Sequence, residues 1–422
     1  MARVLLLATT TGYQTRAFGE AAERLGVELV FATDRCKVLD DPWRDEAIAV
    51  RFHDDAGSLD AVLASAREQP IDGVLVVGDR PTVLAARVAH ALGLPGHPPE
   101  AAEAARNKHL TRERLRAARL PVPWFVDVPI DADPDATAAT LSFPCVVKPL
   151  ALSGSRGVMR ADDQAGFAAA FRRLRALLAS PDVRGERSDL HDTALVEGFI
   201  PGREFAVEGL CHHGELQVLA VFDKPDPLDG PFFEETIYLT PSSVPRAAEA
   251  AIAEGVARAA AAIGLRHGPV HAECRVNDAG VFVLEVAARP IGGLCARALR
   301  FTRGGETIGL EELLLRHALG EAPGAWRREA RASGVMMIPI PARGVYRTVS
   351  GIDEAQAVAG VEEVKITAKA DQVLVPLPEG ASYLGFIFAR DETSAGVERA
   401  LRAAHERLRF TIEPELRVVK AR

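Results

Sequence analysis

The sequence has few of the features that mark secreted, membrane-spanning or nucleic-acid-binding proteins. Its five cysteines form no CxxC pair, so neither a disulfide framework nor a thiolate metal site is indicated, and we interpret them as small core residues. The formal net charge is -8 and no basic block occurs, which argues against nucleic acid as a partner. No apolar run reaches the ~20 residues that cross a bilayer, and the N-terminus shows no signal-type cleavage site. We therefore expect a cytoplasmic protein with no membrane partner. The cysteines are Cys36, Cys145, Cys211, Cys274 and Cys295.

Two common nucleotide-binding motifs are also missing. No GxxxxGK occurs, which excludes a Walker A loop, and no GxGxxG opens a helix, so the first hundred residues lack the dinucleotide fingerprint. These residues nevertheless alternate apolar runs with Ala-rich stretches, a pattern typical of parallel strands with crossover helices. We predict strands at 4–8, 28–32 and 73–77 and helices at 17–25 and 83–92. The Pro-rich segment 94–99 indicates a domain boundary.

The remaining chain predicts further domains, because 422 residues exceed what one hydrophobic core usually supports. Helices are predicted at about 98–106, 109–120, 164–178 and 246–263. Strands are predicted at 124–128, 144–148 and 191–200, with a hairpin over 204–221. The last ninety residues alternate strands at 334–340, 362–367 and 383–388 with a helix at 394–408, which indicates a small α+β domain.

A pair of glutamates gives the strongest chemical signal. The segment 277–280 fits a three-residue hairpin loop with Gly280 at the left-handed position, and this register sets Glu273 opposite Glu285. Opposed carboxylates destabilise a sheet, so we expect a cation such as Mg²⁺ between them. The alternative is a register shifted by one residue, with one glutamate facing solvent or paired with Arg275.

Two further segments suit nucleotide binding. Lys148 ends an apolar strand and precedes a Gly- and Ser-rich loop at 153–157, which suits a polyphosphate, although a plain turn is the alternative. A strand ending at Glu197 is followed by an apolar linker and by Glu204, which opens the next strand. The linker main chain suits an adenine edge and the second carboxylate suits ribose hydroxyls, while solvated surface is the alternative.

These three segments occur in the order and at roughly the spacing found in the ATP-grasp superfamily. Over about residues 1–330 the sequence resembles the carboxylate-amine ligase branch, which includes bacterial L-amino acid ligases, and it is more distantly similar to biotin carboxylase and carbamoyl phosphate synthase. The resemblance implies mixed α/β and α+β folds. It implies a Rossmann-like pre-ATP-grasp domain at 1–105 and a two-lobed ATP-grasp domain at 106–330, with lobes at about 121–200 and 201–330. A C-terminal α+β domain is implied at 331–422.

The resemblance also implies roles for individual residues. Glu273 and Glu285 become ligands of Mg²⁺, with Mn²⁺ as an alternative, and Arg289 and Lys148 become the catalytic cations. For Arg289 the alternative is an ion pair with Glu285. Many family members have Asn at the position of Ala287, so the number of metal ions stays open. The implied ATP contacts are Lys108, Lys148, Ser153, Ser155, Arg156, Gly157, Glu197, Phe199, Ile200 and Glu204.

The implied reaction converts a carboxylate to an acyl phosphate with ATP, after which an amine forms an amide, of the dipeptide type, and ADP and phosphate leave. The substrates are then a small carboxylate and an amine, expected to be amino acids, and a homodimer is left open. The candidate substrate contacts are Glu234, Glu235, His271, Gly292 and Gly293. Two alternatives are a carboxylase-type enzyme that activates bicarbonate and a non-catalytic nucleotide sensor.

Overall fold

The computed structural model describes residues 1–9, 14–34 and 47–415 of the chain, so Cys36 lies outside the described residues. The N-terminal region is the parallel α/β unit that the sequence predicts, with described strands in the order β3-β2-β1-β4. Strand β1 buries Leu5 and Leu7 on one face and Val4 and Leu6 on the other, as expected for a parallel strand covered by helices on both sides. Its elements are β1 (Arg3–Ala8), α1 (Thr15–Leu25), β2 (Glu28–Thr33), β3 (Ile48–Ala49), α2 (Asp55–Glu68), β4 (Gly73–Val77) and α3 (Thr82–Ala91).

Two helices connect this unit to a small antiparallel lobe whose described strands lie in the order β5-β8-β6-β7. Helix α7 covers this sheet with Phe167, Phe171 and Leu174, which lie on one face at helical spacing. The Asp163 carboxylate caps the helix by accepting a hydrogen bond from the Gly166 N–H at 2.7 Å. The elements are α4 (Pro99–Arg106), α5 (Lys108–Ala117), β5 (Phe125–Pro129), α6 (Pro134–Ala138), β6 (Cys145–Pro149), β7 (Met159–Ala161), α7 (Gln164–Leu178), α8 (Pro181–Arg184) and β8 (Thr193–Gly198).

The large lobe carries the opposed glutamates. Its helix α9 has the predicted bounds and ends at Gly264, whose φ of 95° lies in the left-handed region. The elements are β9 (Arg203–His212), β10 (Glu215–Asp223), β11 (Ile237–Thr240), α9 (Arg246–Ile263), β12 (Gly268–Asn277), β13 (Gly280–Ala287), β14 (Arg300–Arg303), β15 (Glu306–Gly309), α10 (Leu310–Ala318) and β16 (Arg327–Arg328).

The C-terminal strands extend the large-lobe sheet. In the described chain this sheet has the order β13-β12-β9-β10-β11-β17-β21-β19, with β17 paired antiparallel to β11. The C-terminal region is therefore continuous with the sheet that carries the candidate site. Its elements are β17 (Ala332–Ile338), β18 (Gly344–Ser350), α11 (Ile352–Gln356), β19 (Val361–Ile366), β20 (Val373–Leu374), β21 (Gly385–Asp391), α12 (Ser394–His405) and β22 (Arg409–Glu413).

The hairpin β12–β13 brings Glu273 opposite Glu285, as predicted, but by a different route. The predicted three-residue loop is wrong, because Asn277 pairs with Gly280 and leaves a two-residue loop. The Asn277 carboxamide stabilises this tighter turn by accepting a hydrogen bond from the Ala279 N–H at 2.9 Å. A bulge after Glu273 then shifts the register by one residue and restores the carboxylate pair. Among the described residues, no helix is long and apolar enough to cross a membrane.

Candidate active site

A cavity of about 400 Å³ lies where the N-terminal unit, both lobes and the C-terminal region meet. Most of the candidate residues line it, although they come from distant parts of the sequence. Arg156, Gly157 and Glu234 lie outside this lining. The candidates in the lining are Lys108, Lys148, Ser153, Ser155, Glu197, Phe199, Ile200, Glu204, Glu235, His271, Glu273, Glu285, Arg289, Gly292 and Gly293.

One end of the cavity is built on a buried ion triad. Glu197 accepts hydrogen bonds from the Lys148 ammonium at 2.5 Å and from the Arg112 guanidinium at 2.7 and 3.1 Å. Burial favours a neutral carboxyl, yet Arg112 and Lys148 lower the pKa of Glu197 to about 2. Burial also lowers the pKa of Lys148 to about 8, even though Glu197 opposes this change. The Glu197 side chain thus holds two cations in place beside the cavity.

The linker after β8 has part of its main chain already engaged. The Phe199 N–H donates to the Pro144 carbonyl at 3.1 Å, and the Ile200 carbonyl accepts from Arg275 at 2.8 Å. An adenine edge would therefore have to use the main-chain groups of this linker that these two hydrogen bonds do not occupy.

Lys224 is the centre of a carboxylate cluster that sequence reasoning missed. Its ammonium donates to Glu204 at 2.8 Å, to Glu273 at 3.0 Å and to Glu235. Burial works against the charge, but the three carboxylates hold the pKa of Lys224 well above its usual value. Burial and the neighbouring Glu273 raise the pKa of Glu235 to about 8. Lys224 directly follows the apolar strand β10, and this position is the feature of the sequence that could have identified it as a site residue.

The opposed glutamates fit a hard divalent cation. Lys108 approaches Glu285 at 3.2 Å, and Lys224 approaches Glu273 from the other side. Both carboxylates line the cavity, and their side chains keep 24% and 21% of their exposure, so each has oxygen atoms accessible from it. One or two carboxylates, together with phosphate oxygens of the substrate, are the donors that Mg²⁺ uses in nucleotide sites.

Arg289 is held by an aspartate of the N-terminal unit. Its guanidinium forms a bidentate pair with Asp79 at 2.9 and 3.0 Å, which replaces the pair with Glu285 considered from sequence. Burial favours the neutral acid, but Arg289 keeps the pKa of Asp79 below its ordinary value. Asp79 lies just beyond the carboxyl end of β4, where parallel sheets commonly place ligand-binding residues, and that position was a signal available in the sequence.

His271 is buried between two carboxylates. Its Nδ1 lies 3.1 Å from Glu208, which is fully buried and accepts hydrogen bonds from the Ile291 N–H at 3.1 and 3.2 Å. Burial favours a neutral ring, but hydrogen bonding to Glu208 and Glu273 raises the pKa of His271 to about 9. His271 is therefore charged at neutral pH, and Glu208 positions both it and the start of segment 291–293.

The loop at 153–157 contacts the C-terminal region. The Gly157 N–H donates to the Pro378 carbonyl at 2.8 Å, and the Arg156 guanidinium donates to the Glu379 carbonyl at 2.8 Å. Ser153 and Ser155 remain in the cavity lining, so the loop has one face toward the cavity and one toward the C-terminal segment. Glu234, outside the lining, accepts from the Ile340 N–H instead.

The far end of the cavity is lined by fewer polar side chains and by more aromatic ones. Gly293 adopts a φ of 62°, and a side chain there would meet Phe386 at 3.2 Å, so glycine allows the close approach of the two segments. Ala287 lies opposite His271 in the hairpin ladder and offers no metal ligand. The other lining residues here are Gln14, Tyr238, Met337, Tyr383 and Phe386.

Three family models match the chain. They are an ATP-grasp N-terminal domain over residues 19–96, an ATP-grasp domain over 141–298 and an L-amino acid ligase C-terminal domain 2 over 336–413. The crystal structure of an L-amino acid ligase from Bacillus licheniformis aligns with a TM-score of 0.82 at 29% identity, covering 98% of this chain and 99% of that one.

Two curated relatives share part of their length with this chain. Carnosine synthase 1 of Gallus gallus is 32% identical over 63% of this chain and 30% of its own length. An alanine–anticapsin ligase of Bacillus subtilis is 27% identical over 49% of this chain and 46% of its own length. The chain thus spans less than half of either relative.

Proposed function

Because the chain belongs to the ATP-grasp superfamily, we propose that it is an ATP-dependent ligase that joins a carboxylate to an amine and releases ADP and phosphate. The observation that carries this function is the convergence at one cavity of Glu273 opposite Glu285, flanked by Lys108, Lys148 and Arg289. This arrangement provides carboxylates for a metal ion and cations for phosphate oxygens, as an acyl-phosphate mechanism requires.

Glu273 and Glu285 would hold Mg²⁺, and Mn²⁺ is the alternative with the same oxygen preference. A divalent ion bound there neutralises charge on the nucleotide phosphates. The number of ions stays a prediction, since Ala287 provides no further ligand. Lys108 and Lys224 would position these two carboxylates, because each lysine lies against one of them.

Positively charged side chains stabilise the other negative charges of the reaction. Lys148 and Ser153 bind phosphate oxygens, and the Glu197 triad keeps the Lys148 ammonium in place. The substrate carboxylate attacks the γ-phosphate, the β–γ bond breaks, and ADP leaves. The amine then attacks the acyl phosphate, and Arg289 stabilises the charge on the tetrahedral centre until phosphate departs. The amine loses a proton in this step, and Glu235, with its pKa near 8, is placed to accept it.

Amino acids are the substrates we propose, with a dipeptide as the product. The cavity provides hydrogen-bond donors for an anion in Arg289 and the N–H groups of Gly292 and Gly293, and it provides Glu235, in its ionised form, for an ammonium group. Aromatic and sulfur-containing side chains at the far end provide an apolar surface for an amino-acid side chain. A homodimer remains a separate prediction, which size-exclusion chromatography tests.

The test is ADP and phosphate release with MgATP across pairs of amino acids, combined with mass spectrometry of the product. We expect release only when both amino acids are present, and loss of release in Glu285→Gln. Glu113→Gln, at a half-buried carboxylate paired with Arg116, is the matched control and should keep activity. Release driven by bicarbonate would identify a carboxylase, and ATP binding without release under any condition would identify a sensor.

A further inference from the structure

A second group of titratable side chains lies away from the cavity. His212, at the end of β9, His267, in the loop before β12, and His317, in the last turn of α10, each place one ring nitrogen within 4.8 Å of the others. The exposed His213 lies beside them. Along β12, His267 precedes Glu273 by six residues, or about 20 Å at the rise of an extended strand, so this cluster is separate from the candidate active site.

His267 is the unusual member of the cluster. Its side chain is buried, yet neither ring nitrogen has a partner of hydrogen-bond geometry among the described residues, although the His317 main chain approaches it. A buried polar group without a partner costs stability, so such a group calls for a ligand or another explanation. His267 therefore has a buried ring nitrogen that is available as a ligand atom next to two other imidazoles.

The ring nitrogens of His212 and His317 are as far apart as two ligands of one metal ion. His212 Nδ1 lies 3.2 Å from His317 Nε2. Ligand bonds of 2.0–2.1 Å in a tetrahedral Zn²⁺ site place neighbouring nitrogens about 3.3 Å apart, close to this value. The rings of His267 and His317 are stacked at 4.1 Å, so a bound ion would require one of them to turn until both lone pairs meet at one point.

His97 supports the cluster from behind, because its Nδ1 accepts from the Arg266 N–H at 3.1 Å and its Nε2 lies 3.1 Å from the Pro269 carbonyl. Both of its nitrogens are engaged, so it is not a ligand.

We propose that His212, His267 and His317 form a transition-metal site for a divalent ion of the Zn²⁺ type. Three imidazole nitrogens favour such ions over Mg²⁺, which prefers oxygen donors. The ion links the β9–β10 hairpin, the loop before β12 and helix α10, and a fourth position is left for water or His213. The site is structural and lies outside the ligase chemistry.

The test uses chelator-treated full-length protein in saturating Mg²⁺, which occupies the carboxylate site. Co²⁺ is added and its visible absorption is recorded, because tetrahedral Co²⁺ absorbs far more strongly than octahedral Co²⁺, and Zn²⁺ is then titrated in to displace it. We expect a tetrahedral spectrum with one ion per chain. In His212→Gln, at a half-buried position, we expect binding to weaken and the apparent Kd to rise at least about tenfold.

His317→Gln is the second variant, and His90→Gln, an exposed histidine on α3, is the matched control with unchanged affinity. Circular dichroism confirms that each variant is folded, and Zn²⁺ should raise the Tm of the native chain and the control but not of the cluster variants. An octahedral spectrum, no spectrum in excess Co²⁺, or affinity unchanged in both cluster variants overturns the proposal.

Discussion

Replacing Glu197 with glutamine separates two roles that this residue could have. Sequence reasoning predicts a contact with adenine, whereas the structure places its carboxylate between Lys148 and Arg112. Glu197→Gln keeps the shape of the side chain but removes the anion shared by two buried cations. We expect the protein to lose stability without any nucleotide present, because the two cations then face each other without compensation.

The size of the effect follows from the pKa of Glu197. A value of about 2, against an ordinary 4.5, corresponds to about 3 kcal/mol of preferential stabilisation of the ionised carboxylate. Because the folded-state pKa is depressed, this contribution is fully present above pH 4.5 and is lost as the pH falls from 4.5 toward 2. The native chain should therefore exceed the variant by about 3 kcal/mol in free energy of unfolding at pH 7, and by less below pH 4.5.

Urea unfolding without ATP measures this difference, and steady-state kinetics measure the KM for ATP. Glu113→Gln, at a half-buried carboxylate on the same helix as Arg112, is the control and should change the free energy of unfolding by less than about 0.5 kcal/mol. A Glu197→Gln protein with native stability but a raised KM for ATP would refute the triad argument and support a direct adenine contact.

Three further predictions concern the rest of the site. Asp79→Asn releases Arg289 and should lower kcat on the order of 100-fold with little change in the KM for ATP, and an unchanged kcat would show that the pair does not position the guanidinium. Lys224→Met removes the ammonium shared by three carboxylates, of which Glu204 keeps Arg275 and Glu273 keeps His271, and should cost about 3–5 kcal/mol in urea unfolding, whereas a neutral result would mean that the cluster takes up protons or solvent instead. His271, whose pKa is raised from 6.5 to about 9, contributes stability that is present below pH 6.5 and lost between pH 6.5 and 9. His271→Gln should therefore reduce the decline in unfolding free energy across that range by about 3 kcal/mol, and an unaltered decline would argue against a charged His271.

Local patterns in the sequence identify the elements that carry the site. Helix α7 and helix α9 have the predicted bounds, because each has an apolar face at helical spacing and a recognisable end. The opposed pair of Glu273 and Glu285 was also predictable, although the predicted loop was wrong. A bulge compensates for the shorter loop, and sequence periodicity does not reveal bulges.

The partners of the site residues were harder to predict, because they come from distant segments. Arg112 reaches Glu197 across 85 positions, and Asp79 reaches Arg289 across 210. Each looks like an ordinary charged residue in its own segment. Only the packing of the domains shows that these charges are buried together and that Lys224 lies at the centre of three carboxylates.

Detection of the amide product when the purified protein is given MgATP and two amino acids is the decisive measurement of the proposed ligase activity. We expect a dipeptide formed in equal amount with ADP and phosphate, and no dipeptide from the Glu285→Gln protein. ADP release without amide formation for any pair of carboxylate and amine, or equal product from Glu285→Gln, would contradict it.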